Sequence, residues 1–93
     1  MHYVYLLHSE SHPDQRYVGL TDDLKARLTK HNEGDVPHTS KFRPWALQAY
    51  CAFPGRQQAA AFERYLKSGS GRAFANHRLW PQSHPSSLDG RDA

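Results

Sequence analysis

The sequence carries a single cysteine, Cys51, in 93 residues, so no intrachain disulfide can form and a reducing, cytoplasmic setting is expected. It contains no run of the roughly 20 apolar residues that a membrane-spanning helix needs, so no membrane partner is expected. The N-terminal MHYVYLL lacks the basic start and the small-residue cleavage pattern of a signal peptide. A glycine-rich phosphate loop and a Gly-x-Ser-x-Gly elbow are both missing, which leaves nucleotide-hydrolase and serine-esterase readings without support. Seven histidines are present, yet none sits in an HExxH pattern, and one cysteine is too few for CxxC-based zinc sites. His2, His12, His38 and His84 therefore read as scattered surface residues.

What remains is enough for one small domain over residues 1–80. A chain of this size buries about 60–70% of its unfolded surface and can hold one modest core. The formal net charge is +3; setting aside the tail residues Asp89, Arg91 and Asp92 leaves eleven basic and seven acidic residues, a net of +4. That balance suits a polyanionic partner such as nucleic acid, although many proteins without one are as basic.

Residues 2–8, HYVYLLH, are aromatic and aliphatic on both alternating faces, the pattern of a central strand covered on both sides. SESHPD supplies turn chemistry, and RYVGL at 16–20 returns as a second strand. A turn centred near Ser11 pairs Tyr5 with Tyr17 and Tyr3 with Gly19, all on one face because the side-chain period is two. A helix follows, with Thr21 as N-cap, Asp22 and Asp23 in its first turn and Gly34 as its stop. WALQAYCAF at 45–53 alternates as a third strand, with Trp45, Leu47, Ala49, Cys51 and Phe53 on one buried face. RQQAAAFERYLKS at 56–68 predicts a second helix, ended by Gly69, and Ser70 caps a last helix, GRAFANHRLW. The tail 81–93 is rich in Pro, Ser and Asp and is expected to be disordered. The order ββαβαα implies an α+β domain: a small, largely antiparallel three-stranded sheet flanked by helices.

Several polar residues stand where a core boundary should be. At about 100° per residue, Arg27 and His31 flank the stripe set by Leu24 and Leu28, one turn apart, so they can meet one ligand. The plainer alternative is an amphipathic border on which arginine extends to water and histidine edges the core. Glu63 lies beside the Ala59, Phe62 and Leu66 stripe of the second helix. A carboxylate there needs a cation: either an arginine from another helix or a divalent metal. Asn76 could bind a phosphate or cap a loop, and spacing does not choose.

Together these positions resemble the GIY-YIG nuclease superfamily, most closely its small single-domain members, which are similar to the N-terminal nuclease domain of the excision-repair subunit UvrC. The first family motif falls on Tyr3-Val4-Tyr5 and the second on Tyr17-Val18-Gly19. The helix arginine and its following His or Tyr fall on Arg27 and His31, the metal-binding glutamate on Glu63 and the late asparagine on Asn76. The resemblance spans residues 2–80. It departs at Tyr3, where the family name has glycine, and at Leu20, where some relatives carry lysine.

The resemblance implies a metal-dependent endonuclease acting on DNA, structure-selective and serving repair or recombination. Glu63 would bind one Mg²⁺ or Mn²⁺ and Arg27 would neutralise the phosphate. Gly19, Arg72 and Asn76 would face substrate, with Gly19 leaving room for a phosphate or the helix. Tyr5 is the candidate general base, and Tyr17 orients the water or phosphate. A free tyrosine has a pKa of about 10, so phenolate at pH 7 costs roughly 4 kcal/mol. A guanidinium and a metal could reduce that cost, and so could a relay in which His31, with a reference pKa of about 6.5, draws the proton through Tyr5. A binding module without turnover and a small protein-interaction domain are the rival readings. With little room for a separate DNA-reading domain, selectivity is expected to be low or to come from a protein partner or a homodimer.

Overall fold

A computed structural model describes residues 1–80. The expected disordered tail, His84 included, lies outside the described residues. Strands β1 (His2–Ser9), β2 (Arg16–Thr21) and β3 (Trp45–Phe53) form one antiparallel sheet in the order β2-β1-β3. Helices α1 (Leu24–Glu33), α2 (Arg56–Leu66) and α3 (Gly69–Arg78) pack around it, with a 3₁₀ turn at Ser40–Phe42. This is the α+β architecture and element order that the pattern implies.

The central strand separates two cores, because its successive side chains point to opposite faces. Val4 and Leu6 are fully buried on one face with Ala59, Leu66, Ala75 and Trp80, so α2 and α3 cover that side. Tyr5 and Leu7 are buried on the other face with Trp45, against Leu24 and Leu28 of α1. This explains why VYLL at the middle of β1 is apolar at every position rather than alternating. Removing either leucine to alanine would cost about 2–5 kcal/mol at a site this enclosed.

Four details differ from the sequence expectation, each for a local reason. The hairpin is displaced by two residues: Tyr5 pairs with Gly19, Leu7 with Tyr17 and Tyr3 with Thr21. The buried Ser9 sets this, since its N–H donates to the Gln15 carbonyl at 3.0 Å and its Oγ accepts the His12 N–H at 2.9 Å. A slip of two preserves the face, so Tyr5 and Tyr17 still share a side. Second, Gln48 is an extra residue in β3: Leu6 faces Ala49 while Leu7 faces Leu47. This bulge transfers Trp45 and Leu47 to the tyrosine face and leaves Ala49, Cys51 and Phe53 on the other, so β3 does not bury one continuous stripe.

Third, the N-cap of α1 is Asp23, whose carboxylate accepts the Ala26 N–H at 3.1 Å. Thr21 acts one step earlier by accepting the Asp23 N–H at 3.1 Å, so neither aspartate lies inside the first turn. Gly34 ends the helix as expected, at φ 85°. Fourth, α2 stops at Leu66 because Ser68 already caps α3, accepting the Gly71 N–H at 3.2 Å. Gly71 permits that tight junction, since a Cβ there would overlap the Tyr65 carbonyl group.

Candidate active site

The tyrosine face of the sheet gathers four of the singled-out residues. Tyr5 comes from β1, Tyr17 from β2, and Arg27 and His31 from α1, which lies across this face. Their ring centroids are close: 6.1 Å between Tyr5 and Tyr17, 5.8 Å between Tyr5 and His31, and 4.8 Å between Tyr17 and His31. The Tyr5 hydroxyl lies 3.0 Å from His31 Nε2. Both residues are almost sealed from solvent, at 1% and 0% exposure, whereas Tyr17 and Arg27 are half-buried. Arg27 and His31 therefore meet one site.

Gly19 is explained by its cross-strand partner. The Tyr5 ring lies over it, and a Cβ at this position would overlap the Tyr5 hydroxyl and come within 2.9 Å of Tyr17 Cε2. The space expected to admit a phosphate or the helix is thus filled by the Tyr5 phenol, which glycine allows to reach His31.

The electrostatics run against a free phenolate. Burial, together with the neighbouring Tyr17, pushes the Tyr5 pKa up to about 12, although the Arg27 guanidinium pulls it the other way. The guanidinium beside the phenol does favour ionisation, but desolvation outweighs it here. His31 is shifted downward, first by burial and then by the positive charge of Arg27, so its imidazole is neutral at pH 7. The pair is therefore a neutral donor beside a neutral acceptor.

A fifth residue completes the chain of contacts. His31 Nδ1 lies 2.8 Å from Thr39 Oγ1, and Thr39, itself 1% exposed, directs its hydroxyl to the Val36 carbonyl at 3.2 Å. Nothing in HTSKFRP marked Thr39 as a site residue. Its contact arises because the loop after α1 folds back beneath the helix end, held by the Trp45 indole N–H donating to the Thr39 carbonyl at 2.8 Å. Asn32 clamps the same region, accepting the Trp45 N–H at 2.6 Å and donating to its carbonyl at 3.1 Å.

Beyond Tyr17 the sheet ends at β2, and a cavity of about 390 Å³ opens between that edge, α2 and α3. Arg16, Tyr17, Lys67, Arg72, Asn76 and Trp80 form its lining, with Val18 and Leu66 at its apolar base. Arg72 and Asn76 are thus placed together beside Tyr17. Asn76 Oδ1 accepts from Arg16 Nη1 at 3.1 Å, and the Arg16 guanidinium stacks 4.8 Å over the Trp80 ring. Arg16, Lys67 and Trp80 were not singled out in the sequence; the RY dipeptide before Val18 is the one signal that could have raised Arg16.

Glu63 lies on α2, half-buried, with Lys67 Nζ 3.2 Å from its Oε2. The expected cation is thus a lysine one turn along the same helix rather than an arginine from another. Lys67 lines the cavity and Glu63 does not, and α2 packs on the face of the sheet opposite Tyr5. Among the described residues no group of three or more His, Cys, Asp and Glu converges to hold a metal. A lone carboxylate still fits Mg²⁺, which keeps most of its waters and takes one or two carboxylates plus substrate phosphate oxygens. Of the histidines expected on the surface, His12 and His38 are exposed and His2 is half-buried at the start of β1.

Comparisons with known proteins identify the family. The family model described as "GIY-YIG catalytic domain" matches residues 1–77. The chain is 36% identical over 72 residues to UPF0213 protein BH0048 of Halalkalibacterium halodurans, covering 76% of this chain and 74% of that protein. The solution NMR structure of UPF0213 protein BH0048 from Bacillus halodurans superposes with a TM-score of 0.51 at 30% identity, covering 86% of this chain and 87% of that one. Two yeast proteins named structure-specific endonuclease subunit SLX1 are also similar. The protein of Candida dubliniensis is 33% identical over 97 residues, which cover 95% of this chain and 34% of that protein. That of Scheffersomyces stipitis is 40% identical over 67 residues, covering 64% of this chain and 20% of that protein. The chain therefore spans about a third of one SLX1 relative and a fifth of the other. With the family model matching all but the last few described residues, the chain belongs to the GIY-YIG catalytic domain family.

Proposed function

We propose that this protein is a divalent-metal-dependent endonuclease that hydrolyses phosphodiester bonds in DNA. The observation that carries the proposal is the hydrogen-bonded Tyr5–His31 pair, sealed behind Tyr17 beside a cavity lined by Arg16, Lys67 and Arg72. A sealed phenol hydrogen-bonded to a neutral imidazole offers a path along which a proton can move, and three cations around a groove suit a phosphate backbone. The names of the two SLX1 relatives, structure-specific endonuclease subunits, support selectivity for the structure of the nucleic acid and a protein partner or second subunit; cleavage of branched DNA in repair or recombination is part of the same proposal.

In this mechanism the strand lies along the β2 edge, its phosphates neutralised by Arg16, Arg72 and Lys67. Asn76 steadies Arg16, and Arg27 donates to a non-bridging oxygen of the scissile phosphate. Tyr17, which lines the cavity and packs against Tyr5, holds the attacking water. As the water oxygen bonds to phosphorus, its proton passes to the Tyr5 oxygen while the Tyr5 proton passes to His31 Nε2. The bond from phosphorus to the leaving oxygen breaks, and that oxygen takes a proton from solvent. Tyr5 never exists as a free phenolate. Glu63, released from Lys67 and joined by phosphate oxygens, would hold Mg²⁺ or Mn²⁺, which supplies stabilisation of the charge on the phosphate and leaving oxygen.

The test incubates purified protein with branched, single-stranded and duplex DNA, and with RNA, in Mg²⁺, Mn²⁺ or EDTA. Metal-dependent nicking of DNA that Glu63→Ala abolishes is the expected result. Retention of DNA without cutting would leave a binding module, and neither cutting nor retention would leave a protein-interaction domain.

A further inference from the structure

We infer that Thr39 is a positioning residue that holds His31 in the tautomer able to take the Tyr5 proton, with the proton on Nδ1 and the lone pair on Nε2. The inference rests on the proposed nuclease reading for its catalytic consequence, and on geometry alone for the tautomer.

A neutral imidazole carries one N–H, and which nitrogen holds it depends on what the other faces. The Thr39 hydroxyl has one proton to give. The Val36 carbonyl, 3.2 Å away, can only accept; it takes the Thr39 N–H at 3.1 Å on one lone pair and has a second for the hydroxyl proton, which we place there. This leaves the Thr39 oxygen with lone pairs toward His31 Nδ1 at 2.8 Å, and Nδ1 must bring the hydrogen. The opposite end of the chain is polarised the same way. Arg27, which can only donate, bonds the Tyr5 oxygen; of the two remaining partners, His31 Nε2 at 3.0 Å and the Tyr17 hydroxyl, only the hydroxyl can donate in return, which leaves the Tyr5 hydrogen for Nε2. Every donor then runs in one direction: Tyr5 to His31, His31 to Thr39, Thr39 to Val36.

The reverse tautomer would place N–H on Nε2, aimed at the Tyr5 oxygen. Tyr5 could then give no proton to His31, and the route from water would end at the phenol. Thr39 also serves the charged state. When Nε2 receives the proton, both imidazole nitrogens carry hydrogens, and Nδ1–H keeps its acceptor in a site where His31 is 0% exposed. The loop leaves the hydroxyl little freedom, because the Thr39 carbonyl is pinned by Trp45 and its N–H donates to Val36 at 3.1 Å. The other groups facing the imidazole are Tyr5, the Tyr17 ring and Arg27; no carboxylate among them could set the tautomer instead.

The experiment compares wild type, Thr39→Val and Thr39→Ser, each labelled with ¹⁵N-histidine, with the His31 signals assigned by their loss in His31→Ala. Wild type and Thr39→Ser are expected to show a protonated Nδ1 and an unprotonated Nε2. Thr39→Val, which keeps the shape but loses the acceptor, is expected to shift to the Nε2–H form. Its cleavage of branched DNA in Mg²⁺ is expected to fall about 10–100-fold, as when an orienting partner of a functional histidine is removed, with Thr39→Ser near wild type. A wild-type protein with Nε2–H, or a Thr39→Val protein that keeps Nδ1–H or cleaves at the wild-type rate, overturns the inference. The expected tautomers with no cleavage by any of the three proteins would sustain the assignment of Thr39 to His31 and refute the nuclease reading.

Discussion

Replacing His31 by alanine removes the proton acceptor while leaving the phenol in place, and the structure sets the size of the effect. Ionising Tyr5 to a free phenolate at pH 7, against a pKa of about 12, costs about 7 kcal/mol, a factor of roughly 10⁵ in population. The relay to Nε2 avoids that step. Without it, Tyr5 must lose its proton to solvent, and the phenolate fraction rises about tenfold per pH unit. His31→Ala is therefore expected to cleave about 10²–10⁴-fold more slowly than wild type at pH 7. Its rate should climb with a slope of about one per pH unit toward pH 10. The wild-type rate should be level above neutrality, because His31 is already neutral there, and should fall only on the acid side of its ordinary pKa of about 6.5. The gap between the two proteins thus narrows as pH rises. Tyr5→Phe, lacking the hydroxyl, should be inactive throughout. The assay is single-turnover cleavage of end-labelled branched DNA at constant ionic strength, with circular dichroism to confirm folding. Equal activity of Tyr5→Phe and wild type, or parallel pH profiles for His31→Ala and wild type, would refute the relay.

The burial of neutral His31 also predicts an acid weakness. Its pKa is lower in the folded than in the unfolded chain, so the unfolded state binds more protons below about pH 6.5 and stability falls as pH drops through that point. Urea midpoints at pH 7 and pH 5 should differ less in His31→Gln than in wild type; an equal difference would contradict the buried-neutral assignment. Gly19→Ala should displace the Tyr5 phenol and lose about 1–3 kcal/mol of stability, with cleavage suppressed further than stability explains. Wild-type activity there would mean that the phenol need not lie over β2. Gly71→Ala sets a Cβ against the Tyr65 carbonyl, so a stability loss of about 1–3 kcal/mol is expected, read as a lowered urea midpoint, and an unchanged midpoint would refute the close α2–α3 junction. Arg16→Ala and Arg72→Ala should each lower the salt dependence of DNA binding by about 0.9 in log–log slope; an unaltered slope would remove the cavity from the strand's path.

Much of the architecture was legible because it is written in local chemistry. The unbroken apolar run of β1 required cover on both faces, Gly34 stopped α1, and odd numbering placed Tyr5 and Tyr17 on one side. That last inference survived a register displaced by two because the side-chain period is also two. The bulge at Gln48 was not legible. A glutamine in an alternating strand carries no mark of being the extra residue, and the mismatch exists only against Leu6 and Leu7. Arg27 and His31 could be suspected from their place beside an apolar stripe, whereas Thr39 could not, since its partner is reached through a loop rather than along a periodic element.

Taken by itself, the order of residues determined the sheet-and-helix order and marked Arg27, His31 and Glu63 as polar residues at a core boundary, since periodicity and caps act over a few residues. Tertiary packing decided their chemistry. Burial raised the Tyr5 pKa and lowered that of His31, and the fold of the 35–39 loop put a hydroxyl behind the imidazole. Desolvation and hydrogen-bond direction depend on which distant groups surround an atom, and no local pattern encodes that.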